Sequence, residues 1–198
     1  MFENLPNAKK IGIKMSGGVD SSLVSYLLAK HIIDNNLDIK LYPIIIVEML
    51  SPFQVLFALP VIKFIEQQTG FVFETPFQFE CAVDENKTEK MRSIENNLLQ
   101  KDLDIIVAGT TQHPKSGFYE TGGPDESRVG DFAEIWDRIY IPFINKDKKE
   151  LAEIYRKNNL TDTLFPLTRS CVEVTNNFDK HCGECWWCKE RLWAFGKL

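Results

Sequence analysis

No stretch of this sequence is apolar for long enough to cross a bilayer: the densest run, Leu41 to Val47, falls far short of the ~18 residues a spanning helix needs. The opening residues, MFENLPNAKK, hold neither an apolar signal core nor an Arg-rich transit pattern, so a cytoplasmic protein without a membrane anchor is expected. Positive charge is also short. Lys and Arg number 23 against 28 Asp and Glu, a formal net charge of −5, which is the wrong sign for gripping nucleic acid mainly through its phosphates, although a local basic groove stays open. Neither G-x-x-x-x-G-K-[ST] nor G-x-G-x-x-G occurs, which removes Walker-type γ-phosphate chemistry and the dinucleotide fingerprint. There is no internal repeat and no low-complexity tract. The even cysteine scatter of a disulfide framework is missing too: of five cysteines, four fall between Cys171 and Cys188, and in a reducing cytosol such clustering suggests a metal.

What is present is a globular composition, 44% hydrophobic and 26% charged over 198 residues, enough for one compact domain with a small appendage. The expected division is an α/β domain over 1–160 and a cysteine-bearing extension over 161–198, packed on the same domain. Ile11 to Met15 reads as a strand that runs through Ser16-Gly17-Gly18 into a helix from Ser21 to His31. Ile39 to Val47 reads as a strand buried on both faces, with Pro43 an irregularity, and Phe53 to Gln68 as a helix kinked or broken at Pro60 and stopped at Gly70. Phe71 to Glu74 is expected as a third strand, Glu85 to Lys101 as a helix and Asp104 to Ala108 as another buried strand. This β-α-β alternation predicts a doubly wound parallel sheet. A long polar loop, Thr110 to Gly130, follows, as an active-site lid or a disordered segment would. Phe132 to Asp137 reads as a short helix, Ile139 to Phe143 as a strand and Lys146 to Asn159 as a helix.

The chemistry sits at the two ends. Ser16-Gly17-Gly18-Val19-Asp20-Ser21-Ser22 lies between a strand and a helix, where glycines let the backbone approach an anion and the helix N-terminus attracts it. Asp20 is placed to hold Mg²⁺ or to cap the helix. At the other end Cys182, Cys185 and Cys188 form C-x2-C-x2-C, with Cys171 upstream as a fourth thiolate. Four thiolates fit a closed, structural Zn²⁺ site; an iron–sulfur cluster, a redox pair or buried reduced cysteines are the alternatives. His181 reads as a bystander to that set and Cys81 as a core residue.

The stretch SGGVDSS resembles the SGGxDS signature of the PP-loop ATP pyrophosphatases, the N-type nucleotide α-hydrolase group. Thr168-Arg169-Ser170-Cys171 and then CGECWWCKER, with Arg191 as its final arginine, is similar to the C-terminal pattern of the 7-cyano-7-deazaguanine (preQ0) synthase branch, which serves queuosine biosynthesis. Ile141-Pro142 with Lys148 and Leu151 resembles a further segment of that branch, and Pro124-Asp125 with Arg128 resembles its P-D-C-R loosely. Where the branch has Asp-Tyr-Gly-Gln after its second strand, this chain reads Glu48-Met49-Leu50-Ser51.

The resemblance implies an adenine nucleotide α-hydrolase-like fold and an ATP-dependent ligase. ATP and Mg²⁺ would be bound by Ser16, Gly17, Gly18, Val19, Asp20, Ser21 and Ser22, with Asp20, Ser21 and Lys148 serving the reaction. Asp125 and Arg128 would contact the substrate in a lid, and Cys171, Cys182, Cys185 and Cys188 would hold Zn²⁺. The implied partners are small molecules, 7-carboxy-7-deazaguanine and ammonia, with no nucleic acid and no membrane, and a homodimer is left open. A tRNA sulfur transferase and a diverged enzyme that conjugates a deazapurine to a protein or to DNA are the competing expectations. The zero net charge of Cys171 to Leu198 favours the small molecule over tRNA. Trp186 and Trp187 are expected to pack around the metal site rather than stack on a purine-like ring, and His113 could face the active site.

Overall fold

The computed structural model describes residues 2, 5, 7–49, 53–82, 85–114, 130–174 and 178–198. Its centre is a sheet whose strands are β1 (Lys10–Lys14), β2 (Lys40–Glu48), β3 (Phe77–Cys81), β4 (Ile105–Val107), β5 (Ile135–Trp136) and β6 (Ile139–Tyr140). They lie in the order β3-β2-β1-β4-β6-β5 and are parallel except for the antiparallel β5–β6 pair at one edge. The chain winds from β1 outward to β3 on one side and returns to β4 on the other. A crevice therefore opens beyond the C-terminal ends of β1 and β4, the usual ligand position in such sheets.

Helices α1 (Val19–Asp34), α2 (Phe53–Thr69), α3 (Lys87–Lys101), α4 (Lys148–Lys157) and α5 (Trp186–Phe195) cover the sheet. The main core joins Ile11, Ile13, Leu23, Val24, Leu28, Val61 and Ile65 with Tyr140, Leu151 and Tyr155, while α3 packs Ile94, Leu98 and Leu99 on Ile44 and Ile106 in a second cluster. Helix α4 starts at a capping box in which Asp147 accepts from Glu150 N and the Glu150 carboxylate accepts from Asp147 N. Its Tyr155 hydroxyl donates to Val19 O at 2.8 Å, which ties α4 to the first turn of α1. Leu160, Leu164, Phe165 and Phe195 join the main core, so the C-terminal segment shares its apolar interior.

Pro43 lies inside β2 without disrupting it. Lys40 N donates to Lys9 O and Met15 N to Ile44 O, so even-numbered residues of β2 face β1, and Pro43 turns its missing N–H to the other flank. Pairing with β3 begins only at Ile44↔Phe77. Pro60 likewise lies within a continuous α2, and Gly70 ends that helix at φ +74.

Two expectations are corrected and one helix is added. Phe71 to Glu74 is no strand: Phe71 and Phe73 drop into the core, Phe73 N donates to Glu66 Oε1, and only Glu74 N reaches β2, at Leu41 O. Phe132 to Asp137 is no helix. Ile135 and Trp136 pair with Tyr140 and Ile139 across a turn with Asp137 at φ +50, and a branched residue beside an aromatic suits that hairpin. Helix α5 was not anticipated, because the cysteine spacing hid its periodicity. Among the described residues no helix is long and apolar enough to cross a membrane.

Candidate active site and metal centre

The glycine loop occupies the crevice. Gly17 has φ +74, and a Cβ there would stand 2.4 Å from Phe57 Cβ, so only glycine lets α2 press on the loop. A Cβ on Gly109 would lie 2.6 Å from the Asp20 carbonyl, so β4 ends directly against the first turn of α1. Gly18 is the N-cap of α1 and supplies no side-chain cap, which leaves first-turn N–H groups directed outward. Ser16 and Ser21 brace the turn: their hydroxyls are 3.1 Å apart, Ser16 N donates to Ser21 Oγ at 3.3 Å, and Ser21 Oγ donates to Gly18 O at 3.2 Å. Ser22 Oγ and Asp20 Oδ1 are buried with no hydrogen-bond partner among the described residues. Unpaired buried oxygens are costly, and an entering ligand or cation would satisfy them.

Lys148 is 4% exposed and places its ammonium between two carboxylates, 2.9 Å from Asp20 Oδ2 and 2.8 Å from Glu190 Oε2. Burial alone would lower its pKa, but Asp20 and Glu190 outweigh that penalty and hold it above its ordinary range. Glu190, 1% exposed, comes from α5, so the loop and the C-terminal helix share this cation.

The same helix carries the cysteines. Cys185 is its N-cap and Cys188 lies in its first turn; burial pushes both thiols up, against the pull of the helix's positive end. The sulfurs of Cys171, Cys182, Cys185 and Cys188 lie within 4.8 Å of one another, an arrangement that could bind a metal ion. Cys182 Sγ is 3.8 Å from Cys188 Sγ, and Cys185 Sγ is 4.0 Å from Cys171 Sγ. The amide of Cys185 donates to Cys182 Sγ at 3.2 Å. Burial raises the Cys182 pKa, but this amide and the Glu184 amide more than compensate and bring it down to about 7. His181 stands outside the set: its Nε2 accepts from Ser170 N at 3.2 Å, and burial, with the nearby Arg191 and Arg169, lowers its pKa to about 4.

Two buried arginines brace this region, and one of them, Arg169, reaches the loop. Arg191 donates to Thr168 Oγ1, Ser170 Oγ and Phe165 O and stacks on the Phe165 ring at 3.8 Å. Burial lowers its pKa to about 10, which leaves it charged at neutral pH. Arg169 N donates to Gly17 O at 2.9 Å, while its guanidinium donates to carbonyls of Cys171, Glu173, Phe178 and Lys180.

A cavity of about 420 Å³ lies above the ends of β1, β2 and β4, lined by Ser16, Asp20, Ser21, Gly109 and Trp187 and by Ile46, Gln54, Lys87 and Met91. Trp187 thus lines it, contrary to the expected metal-site packing, whereas Trp186 packs on His113 with ring centroids 5.3 Å apart. His113 is buried and is not part of the cavity wall. Asp125 and Arg128 lie outside the described residues. Sequence reasoning missed Glu190 and Gln54. A glutamate between a metal-type cysteine and an arginine, Cys188-Lys189-Glu190-Arg191, was the available signal for the first, and none marked the second.

No family model matches the chain, and no curated protein is significantly similar to it. A solved structure, the U34-tRNA thiolase NcsA from Methanococcus maripaludis with its [4Fe-4S] cluster, superposes with a TM-score of 0.52 at 12% identity. The chain shares the α/β fold of that thiolase. The match covers 95% of this chain and 65% of the thiolase, so this chain spans less than two thirds of its neighbour's length. A member of the universal stress protein family from Burkholderia pseudomallei covers 52% of this chain at a TM-score of 0.35 and 16% identity, too low to inform the site.

Removing the shared cation tests this arrangement. Lys148→Met leaves two carboxylates buried without it and should cost about 3–5 kcal/mol in denaturant unfolding, whereas Glu190→Gln retains an acceptor and the Asp20 pair and should cost clearly less. A Lys148→Met protein within about 1 kcal/mol of the parent would contradict the shared-cation geometry.

Proposed function

We propose that the protein is an ATP-dependent ligase that adenylates the carboxylate of 7-carboxy-7-deazaguanine and carries it with ammonia to 7-cyano-7-deazaguanine. What supports the reading most is one observation: the orphaned Asp20 Oδ1 and Ser22 Oγ sit at an uncapped helix start whose neighbouring cation is held by the cysteine-bearing helix. The two sequence patterns of the resemblance thus meet in one site.

The steps follow from ATP chemistry. A carboxylate oxygen attacks the α-phosphorus, pyrophosphate leaves, and an acyl adenylate remains. Ammonia adds at the acyl carbon, loses a proton, and AMP departs with the former carboxylate oxygen, giving the amide. The amide oxygen attacks the α-phosphorus of a second ATP and a second pyrophosphate leaves; loss of AMP, with the amide oxygen, and of the two amide protons then gives the nitrile. Little acid–base catalysis is needed, because adenylation creates the leaving group and the protein supplies position and charge. The first-turn N–H groups of α1, with Ser16 and Ser21, would hold pyrophosphate, and Asp20 would bind Mg²⁺, which neutralises phosphate charge. Lys148 has three N–H donors and spends two on carboxylates, which leaves one for a phosphate oxygen. Asp125 and Arg128 are proposed as substrate contacts from their sequence pattern.

For the cysteines the reading is one structural Zn²⁺. At about 2.3 Å per bond, four thiolates around one tetrahedral ion stand roughly 3.8 Å apart, close to the 3.8 and 4.0 Å found between two of the pairs. A four-iron cubane seats each thiolate on a different iron and spreads them to roughly 6 Å. Metal analysis of protein purified without oxygen should return one zinc per chain; visible absorbance from iron and sulfide would overturn the assignment.

A second reading, sulfur transfer to tRNA, is favoured by the fold neighbour, a tRNA thiolase with an iron–sulfur cluster. One reaction separates the two. With ATP, Mg²⁺, ammonium and 7-carboxy-7-deazaguanine, the nitrile and pyrophosphate should form, and Asp20→Asn should lower both at least a hundredfold while keeping its zinc. Turnover seen only with tRNA and a sulfur donor would replace the proposal with the second reading.

A further inference from the structure

One residue that lines the cavity has a buried side-chain oxygen with nothing to accept. Gln54, in the first turn of α2, is 5% exposed and lines the cavity, yet its Oε1 has no hydrogen-bond partner among the described residues. Its orientation is fixed. Gln54 Nε2 donates to Glu48 Oε1 at 3.1 Å, and an ionised carboxylate only accepts, so the amide cannot turn over without facing oxygen to oxygen. Lys87 pairs with the same Glu48 oxygen from the start of α3 and also lines the cavity. One Glu48 oxygen at the end of β2 thus holds both the Gln54 amide nitrogen and the Lys87 ammonium, and the apolar side chains of Ile44, Ile46 and Met91 line the same cavity.

An amide oxygen without a donor and an ammonium tied to the same carboxylate call for the converse on one ligand, an N–H and an acceptor such as a carbonyl. We propose that Gln54 and Lys87, positioned by Glu48, form the specificity subsite for the 2-amino-4-oxo edge of a guanine-type heterocycle, Gln54 Oε1 accepting a ring or amino N–H and Lys87 donating to the neighbouring carbonyl. The assignment rests on the deazaguanine reading above and extends it to residues that the sequence patterns do not mark. Adenine, the other heterocycle the reaction brings in, also offers an amino group beside an acceptor, its ring nitrogen, so the two are separated by experiment. An unsatisfied buried acceptor is costly, and a ligand that satisfies it recovers part of that cost as selectivity.

The test is calorimetric binding of 7-carboxy-7-deazaguanine in the presence of saturating α,β-methylene ATP, with binding of the nucleotide analogue measured separately. Gln54→Met keeps the length and apolar stem but removes the oxygen. It should weaken the deazaguanine about tenfold, as loss of one buried hydrogen bond does, and leave the analogue within about twofold. Glu48→Gln, which frees the Gln54 amide to turn over, should weaken it by a smaller factor and serves as the second variant if Gln54→Met does not fold. Weaker binding of the analogue instead would mean that the oxygen reads adenine, and unchanged binding of both would mean that it reads neither; either overturns the subsite while the proposed reaction stands. A parent protein that binds the analogue but no deazaguanine would overturn the reaction itself and this assignment with it.

Discussion

One ammonium holds the two ends of the chain together. Lys148 lies between Asp20, in the first turn of α1, and Glu190, in α5, and all three come from different helices. Two carboxylates this close and this buried would repel without the cation, so the position of the loop aspartate depends on the helix that carries the cysteines. That helix is placed in turn by Cys185 and Cys188 at its start and by Arg191, which fastens it to Thr168, Ser170 and Phe165. The cysteine cluster is therefore linked to the glycine loop through α5 and its Glu190 pair with Lys148.

The sheet explains why these groups meet. Winding out to β3 and returning to β4 leaves the end of β1 open, and the chain fills the opening with glycines where side chains would collide. Gly17 admits α2 and Gly109 admits α1, so the loop is pressed from both sides. Arg169 closes the third side through its amide on Gly17 O. Asp20 Oδ1, Ser22 Oγ and the first-turn amides are left as groups whose needs the protein does not meet, and a bound nucleotide with its cation would meet them.

Much of this was legible in the residues. SGGVDSS announces a strand, a tight turn and a helix because glycine marks backbone that other residues rarely adopt, and four clustered cysteines announce a metal because spacing alone carries that chemistry. Element types on the parallel side were readable from runs such as Ile11 to Met15 and Asp104 to Ala108. Errors fell where tertiary contacts decide. Phe71 and Phe73 look like strand residues but fill the core, and Ile135-Trp136 sits in a polar, helix-like stretch yet pairs with β6. Glu190 and Gln54 gave little local signal, since their roles come from Lys148 and Glu48, 42 and 6 residues away in sequence.

The central claim is that the glycine loop presents the α-phosphorus of ATP to a carboxylate. Transfer of label tests it most directly: 7-carboxy-7-deazaguanine carrying ¹⁸O in its carboxylate is turned over with ATP and ammonium, and the AMP is weighed by mass spectrometry. Attack on the α-phosphorus predicts one ¹⁸O in the AMP of each activation, two labelled AMP for each nitrile formed, with pyrophosphate unlabelled. Label in inorganic phosphate, with ADP as the nucleotide product, would place the attack at the γ-phosphorus and contradict the account.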